Sequence, residues 1–203
     1  MHSVKPEDLS PRDSHRLLTS LFIPRPIAFV GTIGLDGTPN CAPFSFANGV
    51  SSKPPVMMVS VSDGPGGNPK DTLRNIQDTG EYTVNLVTRT MASRMHEASG
   101  RFPPQVSEFE KVGLAIRRSH LIDAPGIAES PVTLELRLRE TIRPQGTRTT
   151  LVLGDVVLYH VDEERLVGGE LVPDGLDVVG RLGKDTYAVI NDIFRLPAVE
   201  VPK

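Results

Sequence analysis

Between Val132 and Glu140, Leu134, Leu136 and Leu138 alternate with Glu135, Arg137 and Arg139. Period-two alternation sends successive side chains to opposite faces, so this stretch reads as an antiparallel strand with one buried and one wet face. A chain organised around such a strand must supply others to pair with it. Ile27 to Ile33 is rich in β-branched and aromatic types, and Gly34-Leu35-Asp36-Gly37-Thr38 after it carries the turn residues of a hairpin. Val56 to Val61 is a continuous apolar run of strand length behind Lys53-Pro54-Pro55, and Tyr82 to Val87 gives a further strand. Thr149 to Val161 is β-rich, with Gly154 in its middle, where a missing side chain permits a bulge or a bend.

Helical signals are fewer. Asp71 to Asp78 reads as a short helix closed by Gly80, and Met91 to Ala98 as a second. Asn40 to Pro55 and Ser99 to Phe109 read as loops. Strands outnumber helices and do not alternate with them regularly, which favours a mainly β architecture, a barrel with short helical insertions, over a doubly wound sheet. At 203 residues the expectation is a single domain spanning 1–203, with its core at about 20–195.

Charge and composition narrow the function classes. The formal net charge is −3 and the basic residues are scattered, so no footprint for nucleic acid or an anionic membrane is expected. There is no run of about eighteen apolar residues and no signal-peptide pattern near the start. The single cysteine, Cys41, cannot form an internal disulfide and reads as a small interior residue. A cytoplasmic protein with a small-molecule partner is the expectation. His2, His15, His96, His120 and His160 are too dispersed in sequence to suggest a local metal site. The nucleophile elbow, the zinc-protease helix, the Walker loop and the dinucleotide fingerprint are all missing.

Two segments carry positive signals. Asp63-Gly64-Pro65-Gly66-Gly67-Asn68-Pro69-Lys70-Asp71-Thr72 is a glycine-rich loop running into a helix start. Free backbone N–H groups, the helix dipole, the Lys70 charge and the Thr72 hydroxyl together suit a phosphate. The same residues also suit a plain helix cap, with Asp71 capping and Lys70 solvated. Asn40 to Pro55 is dense in small polar residues, and its backbone could satisfy the edge of a planar heteroaromatic while Ser51 and Ser52 reach a sugar-like chain. An ordinary strand connection would have the same composition.

Read in order, Arg25-Pro26-Ile27-Ala28, Ala42-Pro43-Phe44-Ser45-Phe46, Asn48-Gly49-Val50-Ser51-Ser52, Pro54-Pro55 and Lys70-Asp71-Thr72-Leu73-Arg74-Asn75-Ile76 resemble the flavin reductase-like family. So do Val106-Ser107-Glu108-Phe109, Ala128-Glu129-Ser130-Pro131, Gly154-Asp155-Val156-Val157 with His160, and Arg181-Leu182-Gly183 with Tyr187. The resemblance covers about Pro24 to Phe194. It implies an FMN-binding split β-barrel with Greek-key-like connections, a homodimer with flavin near the subunit interface, and a reductase drawing on NADH or NADPH. Carried over, Lys70, Asp71 and Thr72 would meet the FMN phosphate, and Ser51 and Ser52 the phosphate or ribityl chain. Ala42, Pro43, Phe44, Ser45 and Asn48 would line the isoalloxazine, with Arg181 and Tyr187 nearby. His160 would orient substrate, a role for which His96, on a surface helix, is the weaker candidate.

Such a reaction needs no side-chain nucleophile, because the cofactor carries the chemistry. The expected activity is therefore hydride transfer from a nicotinamide to flavin, with a partner monooxygenase or redox protein as a further acceptor. Two alternatives stand beside it: a flavoredoxin-like FMN electron carrier and a non-enzymatic ligand-binding barrel.

Overall fold

The computed structural model describes residues 1–199. Its strands are β1 (Ala28–Ile33), β2 (Pro39–Phe44), β3 (Ala47–Ser52), β4 (Pro55–Ser62), β5 (Glu81–Leu86), β6 (Ile116–Arg117), β7 (Gly126–Ile127), β8 (Val132–Ile142) and β9 (Thr149–Val161), followed by β10 (Leu166–Val167), β11 (Glu170–Leu171), β12 (Val178–Gly183) and β13 (Thr186–Ile190). The helices are α1 (Pro11–Leu21), α2 (Asp71–Thr79), α3 (Ala92–Glu97) and α4 (Glu108–Val112). Seven strands form one antiparallel sheet in the order β2-β1-β5-β8-β9-β4-β3. The sheet curls until β2 approaches β4, and α2 packs against β1, β2 and β5.

Two apolar clusters result from the alternation in β1. Ala28 and Val30 point inward with Phe44, Ala47, Val59, Val61, Tyr82, Leu136 and Val152, and α2 adds Leu73 and Ile76. Phe29 and its neighbour Ile27 point the other way, into a cluster with Cys41, Met91, Met95, Phe109 and Ile127 under α3 and α4. Each fully buried aliphatic or aromatic side chain contributes about 1.5–3 kcal/mol, so a helix as short as α2 is held by its inward stripe rather than by propensity.

The structure differs from the sequence expectation in three places. The second arm of the hairpin expected at Gly34 to Thr38 is β2, which runs into the stretch Asn40 to Pro55 expected as a loop, and that stretch also contains β3; the two are the edge strands of the sheet. Pro39 and Pro43 are tolerated there because an edge strand leaves some N–H groups unneeded. The expected wet face of β8 is partly dry: Glu135 is fully buried beneath the 118–125 segment. A helix that the sequence reading did not anticipate, α1, is capped by the Ser10 hydroxyl, which accepts from the Asp13 N–H at 3.1 Å.

Candidate functional site

The chain turns from β2 into β3 through Ser45 and Phe46, and cationic side chains gather around that corner. The Lys70 ammonium lies 5.4 Å from the Phe44 ring centroid, and the Arg25 guanidinium 5.7 Å from that of Phe46. Arg25 also donates from Nε to Ser45 Oγ at 3.3 Å. Its remaining donors reach the carbonyls of Thr19, Phe22 and Leu182, so one buried guanidinium ties the end of α1, β12 and the corner together. Arg25 and Arg181 exchange backbone hydrogen bonds at 2.9 Å each way. Arg181 in turn covers the Tyr187 ring at 5.2 Å, and the Tyr187 hydroxyl bonds His96 Nδ1 at 2.9 Å.

The electrostatics of this corner are one-sided. Burial, then the charge of Arg101, pushes the Lys70 ammonium below its ordinary pKa; burial, then Arg181, does the same to Arg25. Among the described residues, none of Lys70, Arg101, Arg25 and Arg181 forms an ion pair with a carboxylate. Partly desolvated cations that face other cations are stabilised by an anion between them.

Backbone donors lie beside Lys70. The first hydrogen bond of α2 runs from Arg74 N to Lys70 O at 3.0 Å, which leaves the N–H groups of Asp71, Thr72 and Leu73 without partners among the described residues. The preceding loop reaches this position through Gly66 and Gly67, both at positive φ. It is anchored by Asp63, whose buried carboxylate takes two hydrogen bonds from Arg143 at 3.1 and 2.6 Å. The Arg143 to Arg148 turn is thus the support of the glycine-rich loop.

Side chains at the helix start behave differently from the sequence expectation. The Thr72 hydroxyl turns inward and donates to Asn40 Oδ1 at 3.2 Å, and Asn40 Nδ2 donates to Glu108 Oε2 at 2.8 Å. Burial pushes the Glu108 carboxyl up, partly offset by its hydrogen bonds. Asp71 pairs with Arg74 rather than capping the helix. The donors left without partners at the helix start among the described residues are therefore the backbone N–H groups of Asp71 and Thr72 rather than their side chains.

Ala42, Pro43, Phe44 and Ser45 lie along β2 and the corner, and Asn48 opens the exposed part of β3, its Oδ1 accepting from the Gly49 N–H. Ser51 and Ser52 stand at the far end of β3, on the order of 15 Å along the strand from Ala47. Among the described residues no side-chain hydrogen bond joins them to Lys70; the Ser51 hydroxyl accepts from the Lys53 N–H at 3.2 Å. His160 is also elsewhere: its Nε2 bonds Glu135 Oε1 at 2.6 Å and its ring meets His120 edge-to-face at 4.7 Å. Arg101 was missed by the sequence reading, and the His96–Tyr187 pair spans 91 residues without any local signal.

Residues 20–172 match the family model described as flavin reductase like domain. The chain belongs to the flavin reductase-like family. It is similar to nitrilotriacetate monooxygenase component B from Bacillus cereus, at 34% identity and a TM-score of 0.93, covering 97% of this chain and 98% of that one. The 2-nitrobenzoate 2-nitroreductase NbaA of Pseudomonas fluorescens superposes with a TM-score of 0.90 at 29% identity, over 100% of this chain and 99% of that chain. A split-barrel flavin reductase structure from Shewanella frigidimarina gives 0.87 at 27%, over 98% and 100%. The mainly β fold is accordingly the split barrel of flavin-related oxidoreductases.

Proposed function

We propose that the protein is an FMN-dependent reductase that takes hydride from NADH or NADPH and passes electrons to free flavin or to a partner monooxygenase. The observation that carries this reading is the unpaired cationic corner at the start of α2. Lys70, Arg101 and three free backbone N–H groups match a phosphomonoester dianion, which is the group that distinguishes FMN from riboflavin. When bound, the flavin supplies two-electron hydride acceptance and release.

The chain's own residues then bind, orient and exclude water. The β2–β3 corner, with the buried Phe44 under Lys70 and Phe46 under Arg25, offers a fixed backbone edge for a planar ring. Arg25 keeps that edge in place from behind. Ser51 and Ser52 fit an assembly in which a second copy approaches β3, and exposed Leu18, Leu21 and Phe22 support a homodimer as the working unit. A partner monooxygenase is consistent with what the Bacillus cereus relative is named for.

Lys70→Ala should weaken FMN binding by about ten-fold or more while riboflavin binding changes little, since a charge-assisted phosphate contact contributes about 1.5–3 kcal/mol. Flavin fluorescence titration of the apoprotein reads both. Equal losses for the two ligands, or none for FMN, would remove the phosphate assignment. Bleaching of the FMN-loaded protein's visible spectrum by NADH or NADPH tests the donor; a spectrum unchanged by either rejects it.

A further inference from the structure

Behind the start of α2 runs a chain of hydrogen bonds whose donors all point one way. Asn75 Nδ2 donates to Thr32 Oγ1 at 3.1 Å, the Thr32 and Thr72 hydroxyls each donate to Asn40 Oδ1 at 3.2 Å, and Asn40 Nδ2 donates to Glu108 Oε2 at 2.8 Å. All of these side chains are more than nine-tenths buried. An ionised carboxyl can only accept, so Glu108 fixes which way the Asn40 amide faces, and the amide in turn fixes the two hydroxyls. Among the described residues Glu108 pairs with no cation. A buried carboxylate without a cation costs more than an apolar side chain of its size, so packing alone gives no reason for one here.

The same groups satisfy one another in the opposite direction. A protonated Glu108 donates, which turns Asn40 Oδ1 toward it and Asn40 Nδ2 toward the threonines. Thr32 and Thr72 then accept. Thr32 donates on to Asn75, whose NH2 turns to the cleft of about 230 Å3 between the β1–β2 turn and α2 that Asn75 and Asn40 both line. The Thr72 O–H has no acceptor left in the chain and is released to the helix start, beside the N–H groups of Asp71, Thr72 and Leu73. Burial, with the charge of Asp71 on α2 behind it, pushes Glu108 toward its protonated form, against the N–H groups of Glu108 and Cys41 and the Asn40 amide. Of the other titratable groups around α4, the Cys41 thiol on β2 is kept protonated by its own burial, then by the charges of Glu108 and Glu129. On α3, Arg94 is engaged by Glu129 and the Gly113 carbonyl and His96 by Tyr187, while Glu110 and Lys111 on α4 itself are exposed.

We propose that Glu108 and Asn40 are positioning residues for the anion site: uptake of one proton from solvent by Glu108 reverses the chain and releases the Thr72 hydroxyl to a phosphomonoester bound at the start of α2. Binding the phosphate and binding the proton then favour each other by the same factor. This coupling rests on the FMN-phosphate reading above and gives that site a regulator set behind the ligand.

FMN and riboflavin are the probes, titrated calorimetrically into the flavin-free protein from about pH 5 to 8 in buffers of different ionisation enthalpy. The proteins compared are wild type, Glu108→Gln, Thr72→Val and the double variant Thr72→Val/Glu108→Gln. On binding FMN, wild type should take up protons beyond any exchanged by Glu108→Gln; riboflavin should show no such excess. A glutamine donates as the protonated acid does, so at the alkaline end Glu108→Gln should bind FMN about 3- to 10-fold tighter than wild type, the effect of one hydrogen bond. The gap should close as pH falls, with riboflavin within about two-fold throughout. In Thr72→Val, the same change at Glu108 should alter FMN affinity by less than about two-fold. In wild type, the titration midpoint of the Glu108 carboxyl carbon should move to higher pH on adding FMN, a reading that needs no variant.

Equal proton exchange in wild type and Glu108→Gln, or a Glu108 midpoint that FMN leaves in place, would overturn the proposal. So would a tightening by Glu108→Gln that is as large without the Thr72 hydroxyl as with it, because the cause would then be a lost charge and not a released donor. Wild type that binds FMN and riboflavin equally defeats the phosphate reading and this coupling together; wild type that prefers FMN without excess proton uptake defeats the coupling alone. Circular dichroism reports whether each variant is folded, and the wild-type carboxyl titration decides where one is not.

Discussion

Single side chains decide local tolerance in this barrel, and Gly154 shows how. A Cβ built there would lie 2.1 Å from the Tyr82 hydroxyl, so the glycine exists to let the Tyr82 ring cross the strand. Bulges flank the position, one where Leu138 and Glu140 pair with Gly154 and Leu153, so the bend read from the sequence is present as well. Gly154→Ala should destabilise by about 1–3 kcal/mol, the usual range for overpacking a filled core, measured by urea unfolding. The Tyr82 hydroxyl is buried without a partner among the described residues, and burial pushes its pKa up. Tyr82→Phe should therefore be neutral or stabilising by about 1 kcal/mol, because a buried unsatisfied group costs more than its absence. Thr72→Val should do the reverse, since it deletes a donor to Asn40 in a buried chain of hydrogen bonds; a loss of about 1 kcal/mol is expected.

At the scale of elements, the 118–125 segment is a strap fastened to the sheet by side chains of β5 and β8. Glu135 accepts from the N–H groups of His120 at 2.6 Å and Leu121 at 2.8 Å, Glu81 from Asp123 N at 2.8 Å, and Thr83 donates to Pro125 O at 2.7 Å. Burial alone would raise the Glu135 carboxyl, but these N–H groups and His160 outweigh it and hold the pKa below the ordinary value. A depressed carboxyl contributes stability that is complete above its unfolded pKa and is lost as pH falls through the folded one. The strap should accordingly hold at neutral pH and loosen only below the ordinary carboxylate range, seen as faster amide exchange in residues 118–125 under acid. Glu135→Ala should loosen it at neutral pH and cost about 3 kcal/mol, the usual cost of breaking a buried charged contact. None of this was legible in the alternation of β8, which reports which residues leave the leucine face and not what covers them. The leucine face itself was legible, as were α2 and the strands from Ile27, Val56 and Tyr82, because apolar periodicity records burial directly. β2 was legible only as the second arm of the hairpin turned by Gly34 to Thr38, and β3 not at all, since Pro39, Pro43, Asn48 and Ser51 have poor strand propensity and are tolerated by position at the sheet edges. Within the candidate site, Lys70 and the helix start were readable from local order. Arg101, and the meeting of His96 with Tyr187, depend on the folded chain alone.

For the whole molecule, the two apolar clusters share β1, whose Ala28 and Val30 belong to one and whose Phe29 belongs to the other. Neither cluster can lose its packing while the other keeps that strand, so the chain should unfold in a single cooperative transition, with fluorescence and circular dichroism coinciding. The candidate flavin site is built on this unit: along β2, Phe44 at the cationic corner belongs to the inner cluster and Cys41 to the outer one. A ligand bound there stabilises the whole transition by mass action, about 2.7 kcal/mol at a hundred times its Kd. For a domain near this size that corresponds to a rise in thermal midpoint of roughly 5–10 °C. FMN should produce this rise, riboflavin at equal concentration less, and Lys70→Ala should bring the FMN response down to that of riboflavin. Arg25→Ala should behave differently, lowering the midpoint even without ligand, because the guanidinium it removes is buried and joins three elements. If FMN and riboflavin raise the midpoint equally, the cationic start of α2 has no part in holding the phosphate; if Arg25→Ala leaves the unliganded midpoint unchanged, the corner that presents Phe44 and Phe46 does not depend on that guanidinium.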